Sequence, residues 1–227
     1  MYNLRRLLIV VLTFVLMVSV ASSGFAARKA KAKTEEAPVA EKVTSSKDTN
    51  RDEEVLFSFE GSLDNWEVPD WAWEKADHVA EDTIVSKSFA TDGANSLEVK
   101  SNFPGKKWTA AYLEYVEYFD WSNYSEVAVD FYIPKDTPVG LMGKIILTVG
   151  EDWKWVEMRR PTLLKPGEWV TVRADLMSGS TDWRRVQPDD EFRMDVRKIG
   201  LRVESDKKPV YEGPFYIDNV RLTKIEE

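Results

Sequence analysis

The chain has 227 residues, contains no cysteine and only one histidine, and carries a net charge of −8 at neutral pH. The lack of cysteine excludes disulfide bonds and thiol catalysis. The single histidine, His78, is not accompanied by a nucleophile motif such as G-x-S-x-G, which argues against a Ser-His-Asp triad. We interpret His78 as an ordinary surface or loop histidine.

The first 26 residues have the pattern of a secretory signal peptide. Arg5 and Arg6 precede an apolar run at 7–20, and small residues follow at 24–26. The run is shorter than the roughly 20 apolar residues that span a bilayer, so we expect cleavage and no membrane span afterwards. No cysteine follows, which excludes a lipid-anchored lipoprotein. The sequence therefore predicts an exported protein, either periplasmic or extracellular.

Residues 27–54 are predicted to form a disordered, charged linker, because they contain no aromatic residue and consist mainly of Lys, Glu, Ala, Ser and Thr. The acids and bases of this linker cancel. Residues 55–227, which contain all nine tryptophans, therefore carry a net charge of −10. A domain this acidic is not expected to bind nucleic acid. Acidic polysaccharides are disfavoured as well, whereas neutral sugars remain open.

Residues 55–227 are predicted to be an all-β domain. Short alternating segments are separated by turn sequences such as DGAN and KPGE, and no sustained helical period occurs. This pattern predicts a sandwich or a jelly roll of about nine or more strands, and not a βαβ fold. The predicted strands are 55–60, 95–101, 110–119, 126–134, 143–150, 153–160, 168–176, 197–205 and 213–225.

Alternation within these strands separates core residues from outward-facing ones. Asp130 and Tyr132 point away from the apolar face of one predicted strand, and Arg202 and Glu204 point away from that of another. We expect these four side chains to complete a hydrogen-bonding row on a ligand-binding face.

The segment GEDWKWVEMRR (150–160) spaces Trp153, Trp155, Glu157 and Arg159 two residues apart. On a strand these four side chains share one face, opposite the apolar residues. Indole rings can stack on the C–H face of a pyranose, while carboxylate and guanidinium groups bond its hydroxyls. The segment therefore predicts a sugar-binding face. The alternative is that a long loop covers both rings.

Three further tryptophans are predicted to be ring platforms. Trp71 and Trp73 alternate in NWEVPDWAWEKAD, and Trp108 follows a Pro-Gly turn and two lysines. The remaining tryptophans are Trp66 and Trp121, assigned to packing, Trp169, assigned a structural role, and Trp183, which is either a rim contact or a loop anchor.

Five segments of the domain resemble jelly-roll carbohydrate-binding modules of the galactose-binding-like type, which accompany bacterial mannanases, xylanases and glucanases. In chain order they are FSFEGSLDNW, ATDGANSLEVKS, SNYSEVAVDFYIP, LLKPGEWVTVRADL and FYIDNVRL. The resemblance covers essentially all of 55–227. It implies a jelly-roll β-sandwich of two antiparallel sheets, with a concave face that often carries the ligand.

The resemblance also implies a structural Ca²⁺ ion, held by the first strand, the D-G turn and the last strand. The matching positions here are Glu60, Asp92, Asn95 and Asp218. Ca²⁺ takes about six to eight hard oxygen ligands, which carboxylates from opposite chain ends can supply. The alternative is that Glu60 and Asp218 only bond backbone groups.

Three functional hypotheses follow. The first is non-catalytic binding of a neutral β-linked polysaccharide of plant or bacterial type, such as mannan, xylan or glucan, alongside a separate partner enzyme. The second is an envelope structural or protein-interaction sandwich, because exposed aromatic patches also mark protein contacts. The third is a jelly-roll glycosidase or lyase with Glu157 and Glu204 as its carboxylate pair. Arginines beside both carboxylates favour ionised structural partners, so we expect no enzymatic activity.

Overall fold

The structure is a computed structural model that describes residues 51–226. The predicted signal peptide and the predicted linker up to residue 50 lie outside the described residues. The described part of the chain forms eleven strands and two short helices. The strands are β1 (Glu53–Phe57), β2 (Ala80–Ser86), β3 (Ser96–Phe103), β4 (Thr109–Phe119), β5 (Tyr124–Tyr132), β6 (Met142–Val149), β7 (Lys154–Glu157), β8 (Thr162–Leu163), β9 (Trp169–Asp175), β10 (Val196–Ser205) and β11 (Tyr211–Lys224), and the helices are α1 (Asp70–Trp73) and α2 (Asp190–Met194).

The strands form two antiparallel sheets packed face to face. The six-stranded sheet has the order β2-β3-β11-β5-β9, with β1 also paired to β11, and the five-stranded sheet has the order β4-β10-β6-β7, with β8 also paired to β6. The first and last strands are therefore neighbours, and most sheet neighbours are distant in sequence. This arrangement confirms the predicted all-β jelly-roll sandwich.

Alternate residues of both sheets form the core between them. Val129 and Phe131 of β5 face inward, as do Ile199, Leu201 and Val203 of β10, and all five are fully buried. Burial of such side chains is the main stabilising contribution in a sandwich of this kind. The predicted division of these strands into core and outer faces is confirmed.

Three tryptophans belong to this core rather than to the surface. Trp66 and Trp121 are almost completely buried, as predicted. Trp183 is fully buried, and its indole N–H donates to the Asp175 carbonyl at 2.7 Å. Of the two roles left open for Trp183, the structure shows the loop anchor.

The structure corrects two predicted boundaries. The predicted strand 153–160 is shorter in the structure, where β7 covers only Lys154–Glu157. Trp153 lies in the preceding turn with a φ of 54°. The fold also begins earlier than residue 55: β1 starts at Glu53, whose carboxylate accepts a hydrogen bond from Arg221 at 3.0 Å. The last residues of the predicted linker therefore belong to the sandwich.

Strand β2 was not predicted. Its sequence, AEDTIVS, contains two acids in seven residues and lies at an edge of the six-stranded sheet, pairing only with β3. Charged residues are common on edge strands, where they discourage pairing with other chains. They also weaken the alternation by which a strand is recognised.

No helix among the described residues is long and apolar enough to cross a membrane.

Candidate functional site

The outer face of the five-stranded sheet carries the densest group of sequence-predicted site residues. Arg202 of β10 lies between Tyr112 of β4 and Lys144 of β6 in the register of the sheet. On the far side of β6, Trp155 of β7 is paired with Thr148. Four adjacent strands therefore contribute side chains to a single surface.

Three aromatic rings meet at the centre of this surface, and we call them the central ring cluster: Trp71, Tyr112 and Trp155. The ring centroids of Tyr112 and Trp155 are 5.3 Å apart, those of Trp71 and Tyr112 are 5.2 Å apart, and those of Trp71 and Trp155 are 6.1 Å apart. The Trp71 and Trp155 rings are nearly perpendicular, at 79°. The cluster is therefore a corner rather than a flat shelf.

Tyr112 forms the floor of the central ring cluster. Its ring lies across Gly200 of the neighbouring strand so closely that a Cβ atom at position 200 would collide with the Tyr112 hydroxyl oxygen. A glycine here leaves the room that the ring needs to lie on the sheet. Burial raises the pKa of Tyr112 strongly, and the nearby Glu114 carboxylate adds to this effect. The phenol is therefore neutral at any physiological pH.

Trp71 is brought to the sheet by the short helix α1, which follows Pro69. Proline is compatible with a helix start because the first backbone N–H groups have no partner within the helix. Ala72 is buried, whereas Trp71 is 42% and Trp73 52% exposed. Trp71 faces Tyr112 and Trp155, the other two members of the central ring cluster. Trp73 contacts His78 edge-on, with ring centroids 5.5 Å apart.

Two depressions flank the ridge formed by Trp71 and Trp155. The first is a cleft whose lining also includes Tyr112, Arg202, Trp108, His78, Asp77 and Lys75. The second is more open, and its lining also includes Trp153, Thr148 and Lys198. Trp73 lines neither of them. Because both depressions share Trp71 and Trp155, the surface is one elongated site with an aromatic centre.

A compact network of charges lies under the cleft. One Arg202 terminal nitrogen lies 2.7 Å from the Glu157 carboxylate and 2.8 Å from that of Glu204. Lys144 approaches the same two carboxylates at 3.8 and 3.7 Å, and Arg184 contacts Glu157 at 3.1 Å. Burial acts to raise the pKa of Glu157, but Arg202 and Lys144 outweigh it and hold that pKa below its usual range.

No protein-family model matches the sequence, and no curated protein sequence does either. Solved structures of other proteins are similar to this chain. The module CBM27-1 of Caldicellulosiruptor saccharolyticus, in complex with mannohexaose, is 18% identical, with a TM-score of 0.52 over 75% of this chain and 96% of that one. The module CBM28, specific for non-crystalline cellulose, is 16% identical, with a TM-score of 0.55 over 76% and 96%.

A structure described as carbohydrate-binding modules of the β-sandwich superfamily, with promiscuous specificity, is 17% identical. Its TM-score is 0.53, covering 74% of this chain and 60% of that chain. The chain has the fold of jelly-roll carbohydrate-binding modules. Identities this low establish the fold alone.

Within this module fold, the two carboxylates considered for catalysis belong to one network of ion pairs. Glu157 and Glu204 share the same two cations, Arg202 and Lys144. A glycosidase needs one carboxyl group that stays protonated at working pH, with a raised pKa. The pKa of Glu157 is lowered, so Glu157 does not fit the part of that acid. The geometry gives this pair a structural role beneath the aromatic surface.

Besides Trp73, three predicted site residues are not part of this surface. Asp130 and Tyr132 face outward as predicted, but from β5 in the six-stranded sheet, and both are buried. Asp130 is held by Arg221 at 3.0 Å, and the Tyr132 ring stacks on Phe89 at 4.3 Å between centroids. The alternation of side chains along a strand gives the direction of each side chain, but it does not identify the sheet to which the strand belongs. The predicted hydrogen-bonding row that combined them with Arg202 is therefore wrong.

Arg159 is the third. Because β7 ends at Glu157, the chain leaves the sheet before Arg159, whose guanidinium donates to the carbonyls of Thr181 at 3.0 Å and Trp183 at 3.3 Å. It therefore fixes a loop rather than extending the row of Trp155 and Glu157.

The predicted calcium ligands lie on both sides of one turn. The Asp218 carboxylate is fully buried and accepts hydrogen bonds from the backbone N–H groups of Thr91 at 2.7 Å and Asp92 at 3.1 Å. The Glu60 carboxylate accepts from the N–H groups of Ala94 at 2.9 Å and Asn95 at 3.0 Å. The two carboxylates thus hold successive parts of the turn.

This arrangement does not fit a preformed calcium cage. Calcium needs oxygen ligands, but the carboxylates of Glu60 and Asp218 point at N–H donors. Within residues 51–226, no group of three or more Asp, Glu, His or Cys side chains is placed to hold a metal. Burial raises the pKa of Asp218 to about 6, although its N–H donors act in the opposite direction. Calcium binding therefore stays a prediction.

Tyr112 and His78 also contribute to the site, although neither is among the sequence-predicted ligand residues. Tyr112 follows the same alternation in AAYLEYVEYF that places Leu113 in the core, so its outward direction was predictable. His78 was interpreted as an ordinary surface histidine, yet it lines the cleft and burial lowers its pKa. Its place depends on the fold of the 74–79 loop against β4, through a hydrogen bond from the Val79 N–H to the Ala110 carbonyl at 3.0 Å. No local sequence pattern indicates that contact.

Proposed function

We propose that the protein is a non-catalytic carbohydrate-binding protein that holds a neutral β-linked polysaccharide on the outer face of its five-stranded sheet. The observation that carries this proposal is the central ring cluster: Trp71 and Trp155 are 42% and 43% exposed, and they stand over a floor of paired charges. Soluble proteins rarely expose large contiguous aromatic surfaces without a ligand or partner.

The apolar C–H faces of a sugar and its polar hydroxyl groups each match a part of this surface. The C–H faces of pyranose rings can lie against the Trp71 and Trp155 rings, as aromatic rings bury apolar surface at low entropic cost. Arg202 and Lys198 line the two depressions and supply N–H donors for hydroxyl groups. The net acidity of the domain disfavours polyanionic glycans, which leaves neutral chains as the preferred class.

The known structures with this fold support the proposal. One was solved with mannohexaose and another is specific for non-crystalline cellulose. The signal-peptide pattern supports an exported protein, periplasmic or extracellular.

The experiment that tests the proposal is native affinity electrophoresis of the protein through gels containing glucomannan, xylan or mixed-linkage glucan. We expect at least one polysaccharide to retard the wild type and Trp155→Ala to abolish the retardation. Ile84→Ala is the matched control, because Ile84 is equally exposed at 42% but lies on β2 of the other sheet.

The outcomes separate the hypotheses. Retardation that is lost only in Trp155→Ala supports sugar binding at the proposed face. Retardation that persists in Trp155→Ala places the sugar elsewhere. No retardation by any of the three polysaccharides rejects the proposal and favours the protein-interaction alternative.

A further inference from the structure

The two tryptophans at the far ends of the site share an arrangement that the central rings lack. Trp108 has the guanidinium carbon of Arg202 over its ring, 5.5 Å from the centroid. Trp153 has that of Arg197 over its ring, 5.7 Å from the centroid. Both distances lie within the range of a cation–π contact. In each case one face of the indole is covered by a cation.

Each of these arginines is itself fixed by carboxylates. Arg197 forms two parallel hydrogen bonds to Asp195, at 2.7 and 2.8 Å. Arg202 is held by Glu157 and Glu204 at 2.7 and 2.8 Å. Arginine paired in this way presents a planar group of fixed orientation. The guanidinium planes therefore act as rigid supports for the two rings.

The rings need such support because neither belongs to a strand. Trp108 precedes the first residue of β4, and Trp153 precedes the first residue of β7 with a backbone φ of 54°. Both are well exposed, Trp108 at 40% and Trp153 at 50%. Without a partner, an exposed ring on a turn would sample several rotamers. The arginines restrict this freedom.

A β-bulge makes the paired arrangement possible. Arg197 and Arg202 are five residues apart on β10, and an odd spacing in a regular strand would place them on opposite faces. The register of β10 shifts between Val196 and Lys198 in its pairing with both neighbouring strands. Val196 and Ile199 are both fully buried although they are three residues apart. The bulge thus turns Arg197 outward, as bulges beside functional sites do.

We propose that Arg197 and Arg202 are positioning residues that hold Trp153 and Trp108 as the two end platforms of one extended sugar-binding site. The inference rests on the proposed function and specifies its ligand. Five residues of strand separate the two supports by roughly 15 Å, and the central ring cluster lies between them, since Trp71 and Trp155 line both depressions. The ligand is therefore an extended chain of several sugar units lying along β10, and a disaccharide is too short to contact both end platforms.

The test compares ligands of two lengths. Affinities of the wild type, Arg197→Met and Trp153→Ala are measured by calorimetry for mannohexaose and cellohexaose and for the corresponding disaccharides. We expect Arg197→Met to weaken hexasaccharide binding about twofold to fivefold, the size of an exposed cation–π contact. Disaccharide affinity stays unchanged, because a disaccharide occupies the central rings. A purely structural role for Arg197 would weaken both lengths equally.

Two further variants show that Arg197 acts through Trp153. The double variant Arg197→Met/Trp153→Ala is expected to bind the hexasaccharide no more weakly than Trp153→Ala alone, because the two residues form one unit. Arg197→Lys is expected to recover part of the loss, since the ammonium group keeps the cation and loses the paired hydrogen bonds. Arg173→Met is the matched control: Arg173 also pairs with carboxylates, Glu126 at 2.6 Å and Glu53 at 3.2 Å, but it lies on β9 of the other sheet.

The outcomes distinguish this inference from the function on which it rests. If the wild type binds neither hexasaccharide, the inference falls, and the electrophoresis described above then decides whether the sugar-binding function stands. If the wild type binds a hexasaccharide and Arg197→Met binds it equally well, the sugar-binding function stands and the positioning role is wrong. Additive losses in the double variant also overturn it.

Discussion

The outer faces of the two sheets have the same sequence pattern, but one face is exposed and the other is covered. On the five-stranded sheet, outward residues of β10 and β7 form a charged floor beneath exposed tryptophans. On the six-stranded sheet, Asp130, Asp218 and Arg221 also point outward, but they are buried, at 0%, 0% and 5% exposure. The turn at 91–95 and Phe89 lie over them, through hydrogen bonds to Asp218 and ring contacts with Tyr132.

The difference shows what alternation in a strand does and does not determine. It fixes which side chains leave the core. Whether an outward charge becomes part of a binding floor or of a buried polar layer depends on the segment that crosses above it. The six-stranded face is accordingly expected to contribute mainly to stability and the five-stranded face mainly to binding.

The largest effect is expected from Arg221→Met on the six-stranded face. Arg221 contacts Asp130 at 3.0 Å and Glu53 at 3.0 Å. Its removal leaves the fully buried Asp130 carboxylate without its cation, which typically costs about 3 to 5 kcal/mol. Urea unfolding at pH 7 measures the change in the free energy of unfolding.

The control for this variant lies on the other face. Arg184→Met removes a salt bridge whose arginine side chain is 54% exposed, and exposed pairs contribute about 0 to 1 kcal/mol. Equal losses in the two variants would contradict the division of roles between the faces.

The second prediction concerns the pH dependence of stability through Asp218. Its pKa of about 6 in the folded state lies above the ordinary value of 3.8, so the folded protein binds more protons than the unfolded chain between these values. This group's contribution to stability is therefore full below about pH 3.8, and it is lost as the pH rises through 6. At 1.36 kcal/mol per pKa unit it amounts to up to about 3 kcal/mol.

The measurement is the difference in unfolding free energy between the wild type and Asp218→Asn, in a chelator, at pH 7 and at pH 5. The wild type should gain stability relative to the variant at pH 5. The same pair measured with Ca²⁺ tests the calcium prediction. A bound cation would keep the carboxylate ionised, raise the wild-type melting temperature at pH 7 and reverse the trend with pH.

The sequence predicted the fold well because jelly-roll strands follow a local rule. Alternation located nine of the strands and assigned Val129 and Leu201 to the core. It failed for β2, where acids on an edge strand replace the apolar residues. The sheet to which each strand belongs results from pairings between distant segments, such as β1 with β11, and local patterns carry no information about them.

The same limit explains which site residues were predicted. Trp155, Glu157 and Arg202 were found because each follows regular alternation within its own strand. Arg197 was missed because the bulge reverses its direction, and His78 was missed because a loop carries it to the cleft. Residues whose direction depends on a bulge or on loop packing need the three-dimensional structure.

A matched pair on helix α1 sharpens the boundary of the binding face. Trp71→Ala removes a member of the central ring cluster and is expected to weaken polysaccharide binding about tenfold or more, as loss of a central aromatic contact does. Trp73→Ala removes an equally large and more exposed ring that lines neither depression, so we expect less than about a threefold change. Both affinities are measured by calorimetry, with thermal melting to confirm folding. A larger loss for Trp73→Ala would move the binding face toward His78.

The smallest effect is expected for the change of binding affinity with pH. Binding at the five-stranded face should hardly depend on pH, whereas the stability contributed by the six-stranded face should. Between pH 8 and pH 6 the charge of the site is expected to change little. The cations under the cleft lower the pKa of Glu157, burial lowers that of His78, and burial raises that of Tyr112. Affinity for a neutral polysaccharide should therefore change less than about twofold over a range in which Asp218 begins to protonate and stability rises. If affinity and stability instead change together across this range, the two faces are coupled, and the buried polar layer helps to shape the binding surface.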